Sequence, residues 1–356
     1  MIEIPVTSPR PRLRTYLAAS YALFIVYASL SPFTGWQEQG LEFSAVLAAP
    51  LLQTYSLFDV VANLLAYIPF GLLLGLILRA RSGAGWSVLL ATLCGMALSA
   101  AMEYAQMYLP VRTSSNLDLL INSVGALAGA LLAVSIAPRA WFALHLADWR
   151  MRLFHAGARA DFGLALAALW VFAQVNPSLP MLGNVFISEV ARPPFVVAQP
   201  NPLNWMESLA VALNLLMLGM LLLTLLRQRR DAVITLVLIL CAVALAKFVT
   251  AAVLLKSWAL FLWLNSEAML GILAGMLLLA AASRLQRAWL TKLAALVTLS
   301  WLALTKWLLD SGAPSTAMRL YQWRYGHLLN YNGLSQTVAL VFPFLMLGYL
   351  WRIRER

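Results

Sequence analysis

Runs of about twenty apolar residues recur along the whole chain, and that recurrence leaves few folds open. A helix that crosses bilayer hydrocarbon must satisfy its backbone internally and needs roughly 20 such residues. Candidate spans fall at about 15–33, 59–78, 86–108, 117–137, 161–176, 207–226, 232–252, 266–283, 289–309 and 335–351. Hydrophobic residues form 62% of the 356 and charged residues 11%, far from a soluble composition. The expected fold is an all-α, polytopic membrane bundle of about ten transmembrane helices. Arg10, Arg12 and Arg14 precede the first run, and no small-residue cleavage site follows it. The first run therefore reads as a retained helix and not as a removed signal peptide.

The cations set the expected orientation. Eighteen of the 25 Lys and Arg residues fall at one set of span ends, among them Arg79, Arg81, Arg139, Arg159, Arg227, Arg230, Arg287, Lys292 and Arg354. Arg112, Arg192, Lys256, Lys306, Arg319 and Arg324 fall at the other, and Lys247 lies within a span. The positive-inside bias places both termini in the cytoplasm, and the expected location is a bacterial inner membrane. It also accounts for the formal net charge of +11 as a topology signal, so no nucleic-acid partner is implied.

Against this apolar background one stretch stands out. "SAAMEYAQMYLPVRTSSNLDLLINSVGALAG", Ser99 to Gly129, carries Glu103, Gln106, Arg112, Asp118 and Asn122. With alternating span directions all five fall at the outer level, joined by Asp59 and Asn63 at the start of the second span. An ionised group inside a span costs on the order of 2.5–3.5 kcal/mol, so such groups are paired, wetted or functional. Asp59 and Asn63 are four apart, as are Asp118 and Asn122, and each pair shares a helix face. Gly125 and Gly129 continue that face as a small-xxx-small strip for close helix approach. Pro69 and Gly71 mark a kink in the second span.

Segments also recur at an offset near 145. "FIVYASLSP" at Phe24 echoes "LWVFAQVNP" at Leu169, and "VGALAGALLA" at Val124 echoes "LGILAGMLLLA" at Leu270. This suggests two parallel four-helix units and a final pair, a 4+4+2 arrangement. The corresponding divisions are 1–137, a basic amphipathic connector at 138–160, a degenerate second unit at 161–283, and a helix pair at 284–356. In this alignment Glu207 falls near the Asp59 position and Asn214 at the Asn63 position. Lys247 is expected to pair with Glu207 or Glu267. Trp205, Trp258, Trp263, Trp301 and Trp307 lie near span ends and read as interfacial anchors. The apolar connection around Lys256 to Glu267 reads as re-entrant or interfacial.

"DVVANLLAYIPFG", "EYAQMYLPVR" and "DLLINSVGALAG", in that order and spacing, resemble the VanZ-like membrane protein family. The likeness covers about residues 15–137. Ser114, Ser115 and Asn116 stand where family members often carry a further acidic residue. The resemblance implies a cell-envelope setting and a link to resistance against the glycopeptide teicoplanin, and supplies no reaction.

Three chemistries fit these residues. In the first, Asp59, Asn63, Gln106, Arg112 and Asn122 bind a headgroup: an anionic lipid through a bidentate Arg112, such as a polyprenyl-phosphate, or a glycolipid through hydrogen bonds. In the second, Glu103 or Asp118 acts as general acid or base of a transferase or hydrolase on such a lipid. In the third the two units rock to translocate it. Against all three stands a purely structural arrangement, with a Glu103–Arg112 ion pair and an Asn63–Asn122 clamp. No cofactor or metal is implied: the three histidines lack ligand spacing, and Cys94 and Cys241 sit within apolar runs as small hydrophobes. Protein partners are not specified by any motif.

Overall fold

The computed structural model describes residues 12–50, 57–136, 141–183, 203–307, 320–322 and 326–354. Arg192, Arg319 and Arg324 lie outside the described residues. The structured elements are helical, and among the described residues the only extended pairing is two isolated bridges, Phe154 with Leu226 and Leu255 with Tyr321. Among those residues seven helices are long and apolar enough to cross a membrane. The chain divides into two compact units, Met1–Met151 and Arg152–Arg356.

In the first unit α1 (Leu13–Leu30) precedes a short α2 (Phe43–Ala48), a long α3 (Leu57–Gln106) and α4 (Asn116–Ser135). The 50 residues of α3 would extend about 75 Å as one straight helix, more than twice the hydrocarbon thickness. The helix instead breaks at Gly83, whose φ of 76° and ψ of −179° suit glycine alone. Residues twelve positions either side of the break return to the same place, since Gly71 and Gly95 both face Ala126 of α4. Thus α3 is a helical hairpin whose arms, 57–82 and 84–106, match the second and third expected spans.

Glycine makes the close packing possible. A side-chain carbon at Gly71 would collide with the Ala126 backbone, and one at Gly129 with the Ile68 carbonyl and Leu72 amide. One at Gly125 would meet the Leu64 carbonyl and Tyr67. Ala126, Ala130 and Ala133 fill the remaining seam with no exposed surface. α1 runs antiparallel along the first arm, with Tyr21 Oη donating to the Ala66 carbonyl at 2.9 Å and Arg14 to that of Leu76 at 3.1 Å. Arg79 donates to the Val134 carbonyl at 2.9 Å, placing a cation on the C-terminal end of α4, where the helix dipole favours it. The outward faces carry Leu57, Leu65, Leu93, Leu120 and Leu131, all exposed on the isolated chain. An apolar sheath of that extent is what a surrounding bilayer covers.

A helix, α5 (Trp141–Leu153), carries the chain onward. The second unit holds α6 (Ala158–Gln174), α7 (Trp205–Leu225), α8 (Ala232–Leu254), α9 (Ser266–Ala282), α10 (Arg287–Trp307) and α11 (Gly326–Arg354). Its centre is α7, buried along nearly its whole length, as expected of a helix apolar on every side. Gly271 and Gly275 of α9 lie against Ser208, Val211, Ala212 and Leu215 of α7, and Gly163 of α6 against Leu225 and Tyr349.

Two sequence expectations change here. Lys247 is fully buried, and its ammonium donates to the carbonyls of Asn176 and Leu179, the latter at 2.9 Å. Those carbonyls belong to a turn after α6 whose backbone has no helical partners to offer them, so the cation goes there. Glu267 accepts from the Asn204 amide and the Ser266 hydroxyl. The connection after α8 is anchored to the rest of its unit. It is tied by Lys256 N–H to the Leu320 carbonyl and Gln322 N–H to that of Leu254, and Trp263 is 5% exposed. Trp301 is equally buried, so these two tryptophans are core residues, while Trp205 and Trp307 remain strongly exposed.

Candidate functional site

The up-and-down course of the first unit brings the end of α1, the start of α3, the end of its second arm and the start of α4 to one end. All seven polar residues singled out in the sequence lie there, and five of them fall, with Tyr67 and Ser99, in three helical stripes of four-residue spacing. One runs Asp59, Asn63, Tyr67; a second Ser99, Glu103; a third Asp118, Asn122. Tyr67 and Ser99 were absent from the expected set, although the same spacing points to both.

The N-terminus of α4 organises the cluster. Ser115 is its N-cap, and the hydroxyl accepts from the amides of Leu117 at 3.1 Å and Asp118 at 3.4 Å. The spelling Ser115-x-x-Asp118 is that of a capping box, in which the acid reaches back to the cap amide. Here Glu103 takes that place, accepting from Ser115 N–H on Oε2 at 2.7 Å. Asp118 accepts from Asn63 Nδ2 at 2.8 Å. Glu103 is 4% exposed, and the Ser114 hydroxyl is buried next to the same carboxyl. Asn122 donates from Nδ2 to the Ser99 hydroxyl at 2.9 Å.

The partners therefore differ from the structural alternative drawn from sequence. Arg112 donates from Nη2 to the carbonyls of Ala28 and Ser31, both at 2.9 Å, and Gln106 donates to that of Ser29 at 3.0 Å. Helix C-termini leave carbonyls without intrahelical donors, and Arg112 and Gln106 satisfy those of α1. Partial burial lowers the Arg112 pKa from its ordinary value, and a guanidinium still stays protonated.

A segment without helical periodicity covers this end. Gln37 N–H donates to the Tyr108 carbonyl at 2.9 Å, Gln39 Nε2 to that of Met107 at 2.7 Å, and Asn116 to those of Leu47 and Ala49. Phe43 of α2 meets Tyr104 edge-on at 5.7 Å, and Tyr104 meets Tyr108 at 5.6 Å. These aromatic residues give the polar end an amphipathic rim, and only the apolar-to-polar change after Pro32 hints at it in sequence.

More than one buried polar atom of the cluster lacks a hydrogen bond. Asn122 is 6% exposed, and its Oδ1 has no hydrogen-bond partner. The Tyr67 hydroxyl, buried beside Ser99, likewise lacks a well-formed bond. A buried acceptor without a donor costs about 1–3 kcal/mol, so native structures seldom keep one without a use. Among the described residues no group of three or more His, Cys, Asp or Glu is placed to hold a metal ion.

Residues 8–137, which carry the whole of this cluster, match the VanZ/LLP1 family model. The first unit is VanZ-like. The match ends at residue 137, just past the end of α4 at Ser135, so the VanZ-like unit is the α1–α4 bundle just described. No curated protein and no solved structure matches the chain.

Proposed function

We propose that this VanZ-type membrane protein recognises the headgroup of a glycosylated envelope amphiphile at the polar end of its first unit, without making or breaking a bond. The glycopeptide teicoplanin is the instance the family resemblance suggests, and a polyprenyl-linked or other glycolipid has the same chemistry. The observation that carries this reading is the buried, unpartnered Oδ1 of Asn122. A buried amide with an unused polar atom selects a group that can hydrogen-bond to it, and sugar hydroxyls do so because they both donate and accept. Arg112, fixed at the same end, supplies a positive charge for an anionic partner. Both carboxyls are engaged as acceptors, Glu103 by Ser115 N–H and Asp118 by Asn63, which favours recognition over proton transfer. The test is native mass spectrometry of the detergent-purified full-length protein with co-purified lipid. Asn122→Leu is expected to lose roughly ten-fold or more of the bound glycosylated amphiphile, and Asn122→Asp, which keeps an acceptor, to retain more of it. Equal retention in all three proteins would remove Asn122 from the site.

Orientation follows from the cations. With the Arg14 and Arg79 end in the cytoplasm, the polar end faces outward. In a Cys94→Ala, Cys241→Ala background, Thr113→Cys is expected to react with an impermeant thiol reagent from outside, and Ala84→Cys only after permeabilisation. The reverse pattern would invert the scheme.

We also infer that α6–α9 of the second unit are a degenerate copy of the first unit, with α10 and α11 as an added pair. Gly125 and Gly129 meet the carbonyls of Leu64 and Ile68, and Gly271 and Gly275 meet those of Ser208 and Ala212. That register supports the duplication with one change: Asn63 corresponds to Glu207, and Asn214 lies two turns further on. The VanZ-like cluster of Glu103, Gln106 and Arg112 has no counterpart in the copy.

A further inference from the structure

A second chemistry sits in the other unit, at the Arg-rich ends of its helices. The starts of α6 and α10 and the ends of α7 and α11 enclose a cavity of about 580 Å³. Arg159, Arg287, Lys292 and Arg354 line it, and none of the residues lining it is a carboxylate. Four like charges around one cavity repel one another and raise the local potential, which an anion relieves. The two helix N-termini favour negative charge and the two helix C-termini oppose it, so the side-chain cations carry the attraction for an anion. Thr291 adds a hydroxyl, and the Tyr349 hydroxyl pairs with Thr224 Oγ1 at 2.9 Å on the wall.

The rim identifies the source of the anion. Trp289 and Trp351 are 61% and 64% exposed, with Lys292 Nζ 4.8 Å from one ring and the Arg354 guanidinium 6.0 Å from the other. Exposed tryptophans beside cations mark the headgroup level of a bilayer. His155 and the apolar Ala156, Ala160, Leu225, Ala288 and Ile353 complete the lining, and the apolar part suits a lipid entering from the hydrocarbon. We propose that this cavity is a binding site for the phosphate headgroup of an anionic membrane phospholipid, separate from the glycosylated ligand of the first unit.

The test uses the full-length protein in detergent, titrated with cardiolipin and with phosphatidylcholine as the zwitterionic control, read by native mass spectrometry. R159Q/R287Q/K292Q is expected to bind cardiolipin roughly ten-fold or more weakly, as removal of charge-assisted hydrogen bonds predicts. R230Q/R284Q/R352Q removes three cations of the same unit that do not line the cavity and is expected to stay within about two-fold of wild type. Lys292 is exposed, so K292Q alone keeps the fold and is expected to bind about three-fold more weakly. Equal losses in the two triple variants, unchanged binding in K292Q and its triple, or wild-type preference for phosphatidylcholine would each overturn the site. Excess inorganic phosphate separates the sources. Cardiolipin that stays bound supports a lipid site, and displacement by phosphate alone overturns that assignment.

Discussion

Gly129→Leu is expected to unfold the VanZ-like unit locally and abolish ligand retention. The added carbons would meet the Ile68 carbonyl and the Leu72 amide, both backbone atoms that no rotamer change can move. Ordinary overpacking costs about 1–3 kcal/mol, and a backbone collision exceeds that because α4 must withdraw from the first arm of α3. Withdrawal also parts Asn63 from Asp118 and Ser115 from Glu103, so stability and binding fall together. Gly348→Leu is the matched control, since a side chain there meets nothing nearby. Thermal unfolding of the detergent-purified protein should show a large drop for Gly129→Leu and little change for Gly348→Leu. Similar curves would mean that the glycine seam does not hold the unit.

Glu103→Leu and Glu103→Gln separate two roles of one residue. Leucine leaves the buried Ser115 N–H without an acceptor at the N-cap of α4, at a cost of about 1–3 kcal/mol. Glutamine offers a carbonyl oxygen in the same position. The expected outcome is a clear loss of thermal stability and bound lipid in Glu103→Leu, and near-native values for both in Glu103→Gln. A Glu103→Gln protein that folds normally but loses all function would instead establish the acid–base role that the sequence also permits.

Which parts of this structure were readable in the sequence follows from the range of the forces involved. Apolar runs report burial or lipid contact directly, so the helices of the first unit and the gathering of Asp59, Asn63, Glu103, Gln106, Arg112, Asp118 and Asn122 at one end could be anticipated. Glycine spacing likewise foretold the α3–α4 seam. The identity of each hydrogen-bond partner could not be read. Glu103 and Arg112 attract as opposite charges on paper, yet the helix ends nearby carry an amide and carbonyls without intrahelical partners, and those took both side chains. The segment after Pro32 has no period to read, so its cover over the polar end emerged only in three dimensions. Trp263 and Trp301 show the limit of the anchor rule, because position near a span end does not say whether a ring faces lipid or a neighbouring helix.

The account stands most directly on what lies against Asn122 Oδ1. Electron cryomicroscopy of the full-length protein in nanodiscs of total bacterial lipid extract would show it. The expected result is an elongated, headgroup-capped density at the polar end of the VanZ-like unit, with a donor within hydrogen-bond distance of that oxygen. Lipid density resolved elsewhere on the protein, with Asn122 Oδ1 met only by protein or water, would contradict it.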